Sequence, residues 1–260
     1  MRRFIVLTER KSEWLSRVAS KYRVVLVEPT YQINIGYVAR CMKNFGFRDL
    51  VLVKPRVHML SEAAIFSAHA RDLLLKYCWV VDDLEEALTG IDLVVGTTGK
   101  IPRGYDPLRA YLTPREFAEK ARDYNGNIAL LFGREDIGLK NTELEVCDLV
   151  VHVPANPKYP ILNLSHAVAI ILYEIFIGER SKYGKGVDGR KIPRRSEMKI
   201  LLQYFSEILE KTGYPASRRR RAELTFRRVI ARSMISKEEL YAFMGFFRKI
   251  LVRVRQVDEA

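Results

Sequence analysis

Six short apolar runs, separated by helical patterns over the first 180 residues, limit the folds open to this 260-residue chain. The runs are rich in Val, Leu and Ile, lack polar alternation, and are mostly followed by turn residues, which is typical of strands buried on both faces. Strands of this kind predict a Rossmann-like, mainly parallel α/β sheet covered by helices on both faces. The six predicted strands are YRVVLVEP, DLVLVKP, CWVVDD, IDLVVGTT, NIALLFG and DLVVHVP.

Helix ends are signalled by capping residues at three places. In TPREFAEKARDY, Thr113 and Glu116 have the spacing of a capping box. In INIGYVARCMKNFGF, we predict that Asn34 caps a helix and Gly46 ends it, with Arg40 on the outer face. The segment ILNLSHAVAIILYE places Asn163 and Ser165 at the start of an apolar helix, where both residue types are preferred caps. The inward positions of the Asn34 helix are Ile35, Val38, Ala39 and Met42.

Positive charge is concentrated in the last third of the chain. Residues 1–180 hold 24 Lys and Arg against 22 Asp and Glu, a net charge of +2, whereas residues 181–260 hold 20 against 9, a net charge of +11. Such an imbalance favours a polyanionic partner, although a solvated helix surface is the ordinary alternative. Three amphipathic patterns in this region predict three helices, one of which carries the run Arg218 to Arg221.

The glycines and charges of GERSKYGKGVDGRKIP indicate a linker between two parts of the chain. The predicted organisation is an N-terminal extension at 1–20, an α/β domain at 21–178, a linker at 179–193 and a basic helical extension at 194–260. The extension at 1–20 has the pattern of a short strand and an amphipathic helix.

Several classes of protein are disfavoured. Charges interrupt the N-terminal apolar run before a signal-peptide core could form, and no apolar run is long enough to span a membrane. The three widely spaced cysteines suit reduced thiols in the cytoplasm, and the four histidines lack metal-ligand spacing, so we expect no metal.

Two glycine-bearing loops, GTTGK at 96–100 and GREDIGLKN at 133–141, follow predicted strands. Neither has the spacing of a nucleotide-binding P-loop, and Leu139 stands where that motif needs lysine. Because ligands of open α/β sheets bind beyond the carboxyl ends of the strands, we expect these loops and the proline-rich segment before Asn163 to form one pocket. Glu135 beside backbone-lined loops suits a ligand with an adenine and a positive charge, such as S-adenosyl-L-methionine.

The helix that follows Asn163 is apolar almost all round. One of its faces can cover the sheet, which leaves Ile170, Tyr173 and Phe176 to find another partner. We expect a second copy of the chain to cover them in a homodimer, and the alternative is burial under the C-terminal helices.

Three segments together resemble a known family. NIGYVARCMKNFG, LLFGREDIGL and VPANPKYPILNLSHAVAIILYE are similar to the three motifs of the SPOUT methyltransferases, in the branch of RNA ribose 2'-O-methyltransferases typified by TrmH and TrmJ. The resemblance covers residues 22–177. The C-terminal helical pattern is similar to the extension of TrmJ-like proteins, which modify nucleotide 32 in the anticodon loop of tRNA.

The resemblance implies a sheet whose C-terminal part forms a trefoil knot, an obligate homodimer, S-adenosyl-L-methionine bound in the knot, and a tRNA substrate. Alternatives are a ribosomal RNA substrate within the same fold, and a non-catalytic RNA-binding protein. The residues that match cofactor positions are Thr97, Thr98, Gly99, Phe132, Gly133, Val153, Leu162 and Ser165, and those that match positions for substrate handling and catalysis are Asn34, Arg40, Glu135, Asn163 and Ser165.

Arg40 has a predicted role that differs from general base catalysis. A guanidinium has a pKa above about 12 and rarely gives up a proton. We therefore expect Arg40 to bind a substrate phosphate and stabilise the developing alkoxide. The alternative is that Arg40 is an ordinary surface charge.

Overall fold

The computed structural model describes residues 18–57, 61–101, 106–182 and 192–258. Most of the predicted extension at 1–20 and residues 183–191 of the predicted linker lie outside these ranges. Residues 18–21 are helical, and Val18 is fully buried in the core. The last part of the predicted extension therefore belongs to the packed α/β unit.

Seven parallel strands form one sheet in the order β3-β2-β1-β6-β4-β7-β5. All six predicted runs are strands, and the two-residue strand β5 is an addition that sequence reasoning missed. The strands are β1 (Tyr22–Val27), β2 (Asp49–Val53), β3 (Cys78–Val81), β4 (Leu93–Thr97), β5 (Tyr111–Leu112), β6 (Ile128–Phe132) and β7 (Leu149–Val151).

Helices cover both faces of the sheet. Successive residues of β1 point to opposite cores, because Val24 and Leu26 pack in one cluster while Val25 and Val27 pack in the other. The helices of the α/β unit are α1 (Gln32–Asn44), α2 (Ser61–Phe66), α3 (Arg71–Lys76), α4 (Leu84–Ala87), α5 (Pro114–Arg122), α6 (Asn141–Glu145) and α7 (Leu164–Lys182), and short 3-10 helices span Ala68–Ala70 and Pro107–Arg109.

Helix α1 corrects one prediction about capping. It begins at Gln32 with Tyr31 as its N-cap, so Asn34 lies inside the first turn and is buried. The cap was misassigned because the side chain of Asn34 bonds other segments, as described below, instead of the backbone of its own helix. The predicted inward residues are buried, and Gly46 follows the helix end with φ +81°, which favours glycine.

The start of α5 agrees with its predicted cap, whereas α7 ends later than predicted. The predicted capping box of α5 is present, with Thr113 and Glu116 bonded reciprocally. Helix α7 continues to Lys182, four residues into the predicted linker. Glu179 holds this last turn in place, because its buried carboxylate accepts hydrogen bonds from Lys21 Nζ at 2.6 Å and Tyr22 Oη at 2.8 Å.

The three predicted C-terminal helices are α8 (Arg195–Lys211), α9 (Ala216–Ser233) and α10 (Lys237–Asp258). They enclose a small core in which the Phe205 and Phe226 rings stack with centroids 4.2 Å apart. Helix α9 also packs against β7 and the Pro107–Arg109 turn of the α/β unit. Among the described helices, none has the length and apolar character required to cross a membrane. The fully or nearly buried residues of the small core are Leu201, Ile230, Ile235, Leu240 and Phe247.

Candidate active site

A cleft opens at the carboxyl ends of β4, β6 and β7. Its walls come from residues 97–100, 132–139 and 160–164, so the two glycine loops and the proline-rich segment converge there as predicted. The floor is apolar and includes Val151, and the rim carries Glu135 and Asp136. This is the edge at which open parallel sheets bind ligands.

The residues predicted to contact a cofactor are mostly together in this cleft. Seven of the eight line it, whereas Ser165 is buried just beyond the lining. These seven come from three segments up to 65 positions apart, between Thr97 and Leu162. The seven are Thr97, Thr98, Gly99, Phe132, Gly133, Val153 and Leu162.

The loop after β6 folds tightly back on itself. Arg134 and Gly138 form two backbone hydrogen bonds, with N···O distances of 3.2 and 2.9 Å. A Cβ added to Gly133 would lie 2.0 Å from the carbonyl carbon of Gly138, so this close approach requires glycine. Gly138 itself has φ +71°. The backbone of this loop is thereby presented directly to the cleft.

A buried ion-pair cluster anchors the same loop. Arg134, which is 3% exposed, bonds both carboxylate oxygens of Glu143 at 2.9 and 3.0 Å and also contacts Glu28. Arg134, followed by Arg56, lowers the pKa of Glu28 to about 2, and the two carboxylates raise the pKa of Arg134. Glu28 directly follows β1 and has φ +46°, an uncommon conformation for a residue with a side chain. The cluster fixes the turn after β1 against the loop after β6.

Four of the five predicted catalytic residues are joined in one chain of hydrogen bonds. Glu135 accepts from Asn34 Nδ2 at 3.0 Å, and Asn34 Oδ1 accepts from Asn163 Nδ2 at 3.1 Å. Asn163 Oδ1 in turn accepts from the backbone N and the Oγ of Ser165, at 2.9 and 2.8 Å. The chain connects three segments that are distant in sequence: the loop after β6, helix α1 and the start of α7.

This hydrogen-bond chain also caps two helices. Glu135 accepts from the backbone N–H groups of Thr30 and Tyr31, where a carboxylate complements the positive end of α1. Asn163 precedes Leu164, the first residue of α7, and its bond to Ser165 N confirms the prediction that it caps this helix. The same side chains thus shape the site and begin its helices.

Arg40 lies apart from this chain and from the cleft lining. Its side chain is exposed and makes no hydrogen bond or ion pair with any described residue. Its spacing on α1 places it in one stripe with Ile33 and Tyr37, which are 38% and 40% exposed. In a single copy of the protein, Arg40 therefore lies on an outward face that is partly apolar.

The outward face of α7 continues the apolar surface. Ile170 and Tyr173 remain 38% and 49% exposed, so the C-terminal helices do not bury them. Phe176 differs from the prediction because it is partly buried against the core of the same chain, where its ring packs on Phe45 with centroids 5.7 Å apart. The ring of Tyr173 also contacts Phe45, at 5.9 Å, but stays exposed. Since α1 and α7 pack on each other, we call the exposed residues Ile33, Tyr37, Ile170, Tyr173 and Ile177 the α1–α7 face.

Arg109 is one of the cleft residues that sequence reasoning missed. Arg109 lines the cleft and donates to Thr98 Oγ1 and Asn141 Oδ1, both at 2.9 Å. It ties the loop after β4 to the start of α6. No pattern around PLRA distinguishes this arginine from a surface residue, so the sequence carried no usable signal.

The cysteines agree with the expectation of reduced thiols. All three are free, and burial raises the pKa values of the Cys78 and Cys147 thiols to about 12. Within the described ranges, no cluster of three or more His, Cys, Asp and Glu side chains is arranged to hold a metal ion.

Comparison with known proteins identifies similar sequences over nearly the whole chain. The profile of the SpoU rRNA Methylase family matches residues 21–173. A tRNA (cytidine-2'-O-)-methyltransferase TrmJ of Methanocaldococcus jannaschii is 36% identical over 226 residues, covering 86% of this chain and 97% of the relative. A tRNA (cytidine/uridine/adenosine-2'-O-)-methyltransferase TrmJ of Pseudomonas aeruginosa is 36% identical over 251 residues, covering 91% and 95%.

Solved structures agree with this relationship. A probable methylase family protein from Haemophilus influenzae superposes with a TM-score of 0.64 at 31% identity, covering 92% of this chain and 99% of its own. The crystal structure of TrmJ from Z. mobilis ZM4 has a TM-score of 0.64 at 28% identity, covering 88% of this chain and 98% of its own. The similarity therefore includes the C-terminal helices as well as the sheet.

Proposed function

Because the chain belongs to the SpoU rRNA Methylase family, we propose that it is a methyltransferase that modifies the ribose 2'-hydroxyl of an RNA. The observation that carries the proposal is the convergence of the glycine loops on one cleft, beside the Glu135–Asn34–Asn163–Ser165 chain. We propose tRNA as the substrate, because two relatives named as tRNA 2'-O-methyltransferases match 86% and 91% of this chain, and matches of that extent reach into its basic helices.

The cleft suits S-adenosyl-L-methionine as the cofactor. Backbone groups of two glycine-containing loops can bond an adenine edge, the apolar floor can hold its ring, and Glu135 and Asp136 favour a positive charge at the rim. The negative charges of Glu135 and Asp136 repel a polyphosphate, which disfavours a nucleoside triphosphate in the cleft. When bound, the cofactor supplies an activated methyl group on a sulfonium. The holding residues would be Thr97, Thr98, Gly99, Phe132, Gly133, Val153 and Leu162, with Ser165 supporting their loop.

The hydrogen-bond chain has a positioning role in this proposal. Glu135 already accepts three hydrogen bonds, from Thr30, Tyr31 and Asn34, so its carboxylate holds the start of α1 against the cleft. Asn163 and Ser165 hold the loop that closes the cleft from the other side. Holding the reacting groups in place supplies much of the rate in a transfer to an activated methyl group.

Arg40 is proposed to act on the RNA. A planar guanidinium that no carboxylate of the described residues engages is available for bidentate contact with a phosphate and for stabilising negative charge on the ribose oxygen. Because Arg40 shares its stripe with the exposed Ile33 and Tyr37, burial of the α1–α7 face against a second copy would place it at the subunit boundary. We propose that the active enzyme is this homodimer.

Four finer features complete the proposal. The C-terminal helices from residue 194 form a basic extension that binds RNA, separated by the linker from the α/β domain. Nucleotide 32 of the anticodon loop is the proposed position, and the cytoplasm the proposed compartment. We propose a trefoil knot from the path of the polypeptide after β6. It passes β4 to reach β7, and Asn163 then lies back beside the β1 side of the sheet, where it bonds Asn34.

Ribosomal RNA is the second candidate substrate. The description of the matching family names rRNA, and the chemistry at the ribose would be the same. The two candidates differ only in which RNA the basic surface positions over the cleft.

The test is mass spectrometry of nucleosides from unmodified tRNA and from ribosomal RNA, each incubated with the protein and methyl-labelled S-adenosyl-L-methionine. We expect labelled 2'-O-methylnucleosides in tRNA, and mass spectrometry of ribonuclease fragments of the same tRNA should map the label to position 32. Label in ribosomal RNA alone would select the second candidate. Absence of labelled 2'-O-methylribose from both RNAs, with the protein shown to bind RNA, would favour the non-catalytic RNA-binding alternative.

A further inference from the structure

Arginines of α9 reach from the helical part into the α/β unit. Arg227 Nη1 donates to the carbonyl of Glu145 at 2.6 Å, and Arg220 contacts the carboxylate of Glu145. Arg228 Nη2 donates to two carbonyls, those of Leu144 at 3.0 Å and Leu108 at 3.3 Å. Cationic side chains of another helix thus donate to carbonyls at the carboxyl end of α6, where positive charge is favourable.

The two carbonyls bonded by Arg228 belong to segments that border the cleft. Leu108 precedes Arg109, which lines the cleft and bonds Thr98. Leu144 follows Glu143, which holds Arg134 at the base of the loop after β6. A single guanidinium therefore links both walls of the cleft to α9.

Arg228 is an unusual choice for simple packing. It is 1% exposed, and its Nε and Nη1 atoms have no hydrogen-bond partner among the described residues. Burying donors without partners is destabilising, and burial lowers the pKa of this guanidinium. An apolar side chain of similar length would fill the same space without that penalty. The carbonyl contacts are what an apolar residue could not supply.

The same helix presents its other end to solvent. Arg218 and Arg221 are exposed in the first turns of α9, two to three turns before Arg228. A phosphate backbone bound at these arginines would load the helix that carries Arg228. A helix transmits a shift along its axis because its backbone is continuously hydrogen bonded.

We propose that Arg228 is a positioning residue that couples RNA bound on α9 to the affinity of the cofactor cleft. This inference rests on the proposed function. RNA contact at the start of α9 and cofactor contact at residues 97–100 and 132–139 are two sites on one linked set of segments, so each ligand should strengthen binding of the other by the same factor.

The test measures the dissociation constant of S-adenosylhomocysteine, an unreactive product analogue, by calorimetry on the full-length protein with and without saturating unmodified tRNA. We expect tRNA to tighten binding by about fivefold or more in the wild type. In Arg228→Leu the dissociation constants with and without tRNA should agree within about twofold, because the effect of tRNA on cofactor affinity disappears. Arg228→Lys, which keeps one donor, should restore part of the effect.

Arg218→Gln is the matched control, because it removes an exposed charge from the same helix without touching the cleft walls. It should weaken tRNA binding yet retain coupling through the remaining contact at Arg221 once tRNA saturates. Wild-type protein that binds and methylates tRNA with no change in cofactor affinity would overturn the coupling and leave the proposed function intact. Coupling of equal size in Arg228→Leu would also overturn it. If no RNA binds, the proposed function fails and this inference fails with it.

A second measurement covers the case in which Arg228→Leu does not fold. Hydrogen exchange of the wild-type protein should show that tRNA slows exchange of amides at 106–109 and 141–145. Both segments lie outside α9, so slower exchange there reports the coupling and not direct cover by RNA bound at the exposed arginines of that helix. Exchange in both segments that is unchanged by saturating tRNA would overturn the proposal without any variant.

Discussion

The α/β unit and the C-terminal helices distribute their polar residues in opposite ways. The α/β unit has almost balanced charge, yet it buries Arg134, Asn34 and Ser165 in specific hydrogen-bonded positions around one cleft. The helical part carries most of the excess positive charge and displays much of it on the surface of α9. Buried hydrogen-bonded groups fix the positions of neighbouring segments, whereas exposed cations attract a polyanion over a long range. The contrast underlies our proposal that one region aligns the reaction and the other captures RNA.

The largest effect should come from removing the buried cation of the α/β unit. Arg134→Ala leaves Glu28 and Glu143 without their shared partner, and we expect a loss of about 3 kcal/mol or more in unfolding free energy, measured by urea denaturation. Arg115→Ala is the control, because the Arg115–Glu174 pair is exposed and should hardly change the midpoint. Equal midpoints for the two variants would show that the cluster does not anchor the loop.

The next effect tests whether alignment chemistry is confined to buried residues. Arg40→Ala should lower single-turnover methyl transfer by a factor on the order of 100, while cofactor affinity stays nearly intact, because Arg40 lies outside the cleft lining. Arg40→Lys should not rescue fully, since an ammonium lacks the planar two-pronged contact.

Lys43→Ala is the control for Arg40, because Lys43 is on the same helix but already paired with Asp72. Circular dichroism should confirm that each variant is folded. Turnover of Arg40→Ala within about twofold of wild type would make Arg40 an ordinary surface charge.

The third effect concerns the apolar surface of the α/β unit. A double variant, Ile170→Glu with Tyr173→Glu, places two charges on the α1–α7 face and should weaken dimer formation by roughly 30-fold or more, the scale of losing an interface anchor. Sedimentation over a concentration series measures this shift. Val252→Glu, which changes a similarly exposed residue of α10, should leave association unchanged. A wild-type protein that sediments as a monomer throughout would refute the dimer.

The fourth effect tests the electrostatic role of the helical part. Replacing Arg218 and Arg221 by Gln should weaken tRNA binding roughly tenfold and reduce the salt slope by about two, because each phosphate contact releases about one counterion. The matched control neutralises Arg71 and Lys76, two exposed cations of the α/β unit. A larger change of the salt slope in the control would show that the α/β unit, and not the helical part, captures RNA.

The smallest effect is a dependence on pH. Because the pKa of Glu28 is lowered to about 2 from 4.5, its ionised form stabilises the fold. That stabilisation is present above the ordinary pKa and is lost as the pH falls from about 4.5 towards 2. The difference in denaturation midpoint between wild type and Glu28→Gln should therefore narrow between pH 5 and pH 3. A constant difference would contradict the low pKa.

Local patterns predicted much of the fold. Six strands, the capping box at Thr113 and the three C-terminal helices follow from periodicity and caps, which involve neighbouring residues only. Strand β5 has two residues, too few for any pattern to appear. Asn34 was given a local role as a cap because its actual partners, Glu135 and Asn163, are more than 100 positions away.

The candidate site was predictable where a motif marked it and not elsewhere. The loop residues of the cleft were found by their positions after strands and by family resemblance. Arg134 was overlooked although it sits in the quoted loop, because its partner Glu28 becomes adjacent only once β1 and β6 are known to pair. Arg228 did leave a signal, since it shares a helical stripe with Leu224 and Ala231, where a buried apolar residue would be expected.

The bond between Lys21 and Glu179 has a consequence for the order of events during synthesis. Its partners are 158 positions apart and both are buried. At a synthesis rate of about 5–20 residues per second, Lys21 is added to the chain roughly 8–30 s before its carboxylate partner is made. The central strand β1, which begins at the next residue, must wait in the same way for β6. The nascent chain therefore carries β1 without its β6 partner for seconds, and the Lys21–Glu179 bond can form only after the last turn of α7 has been made.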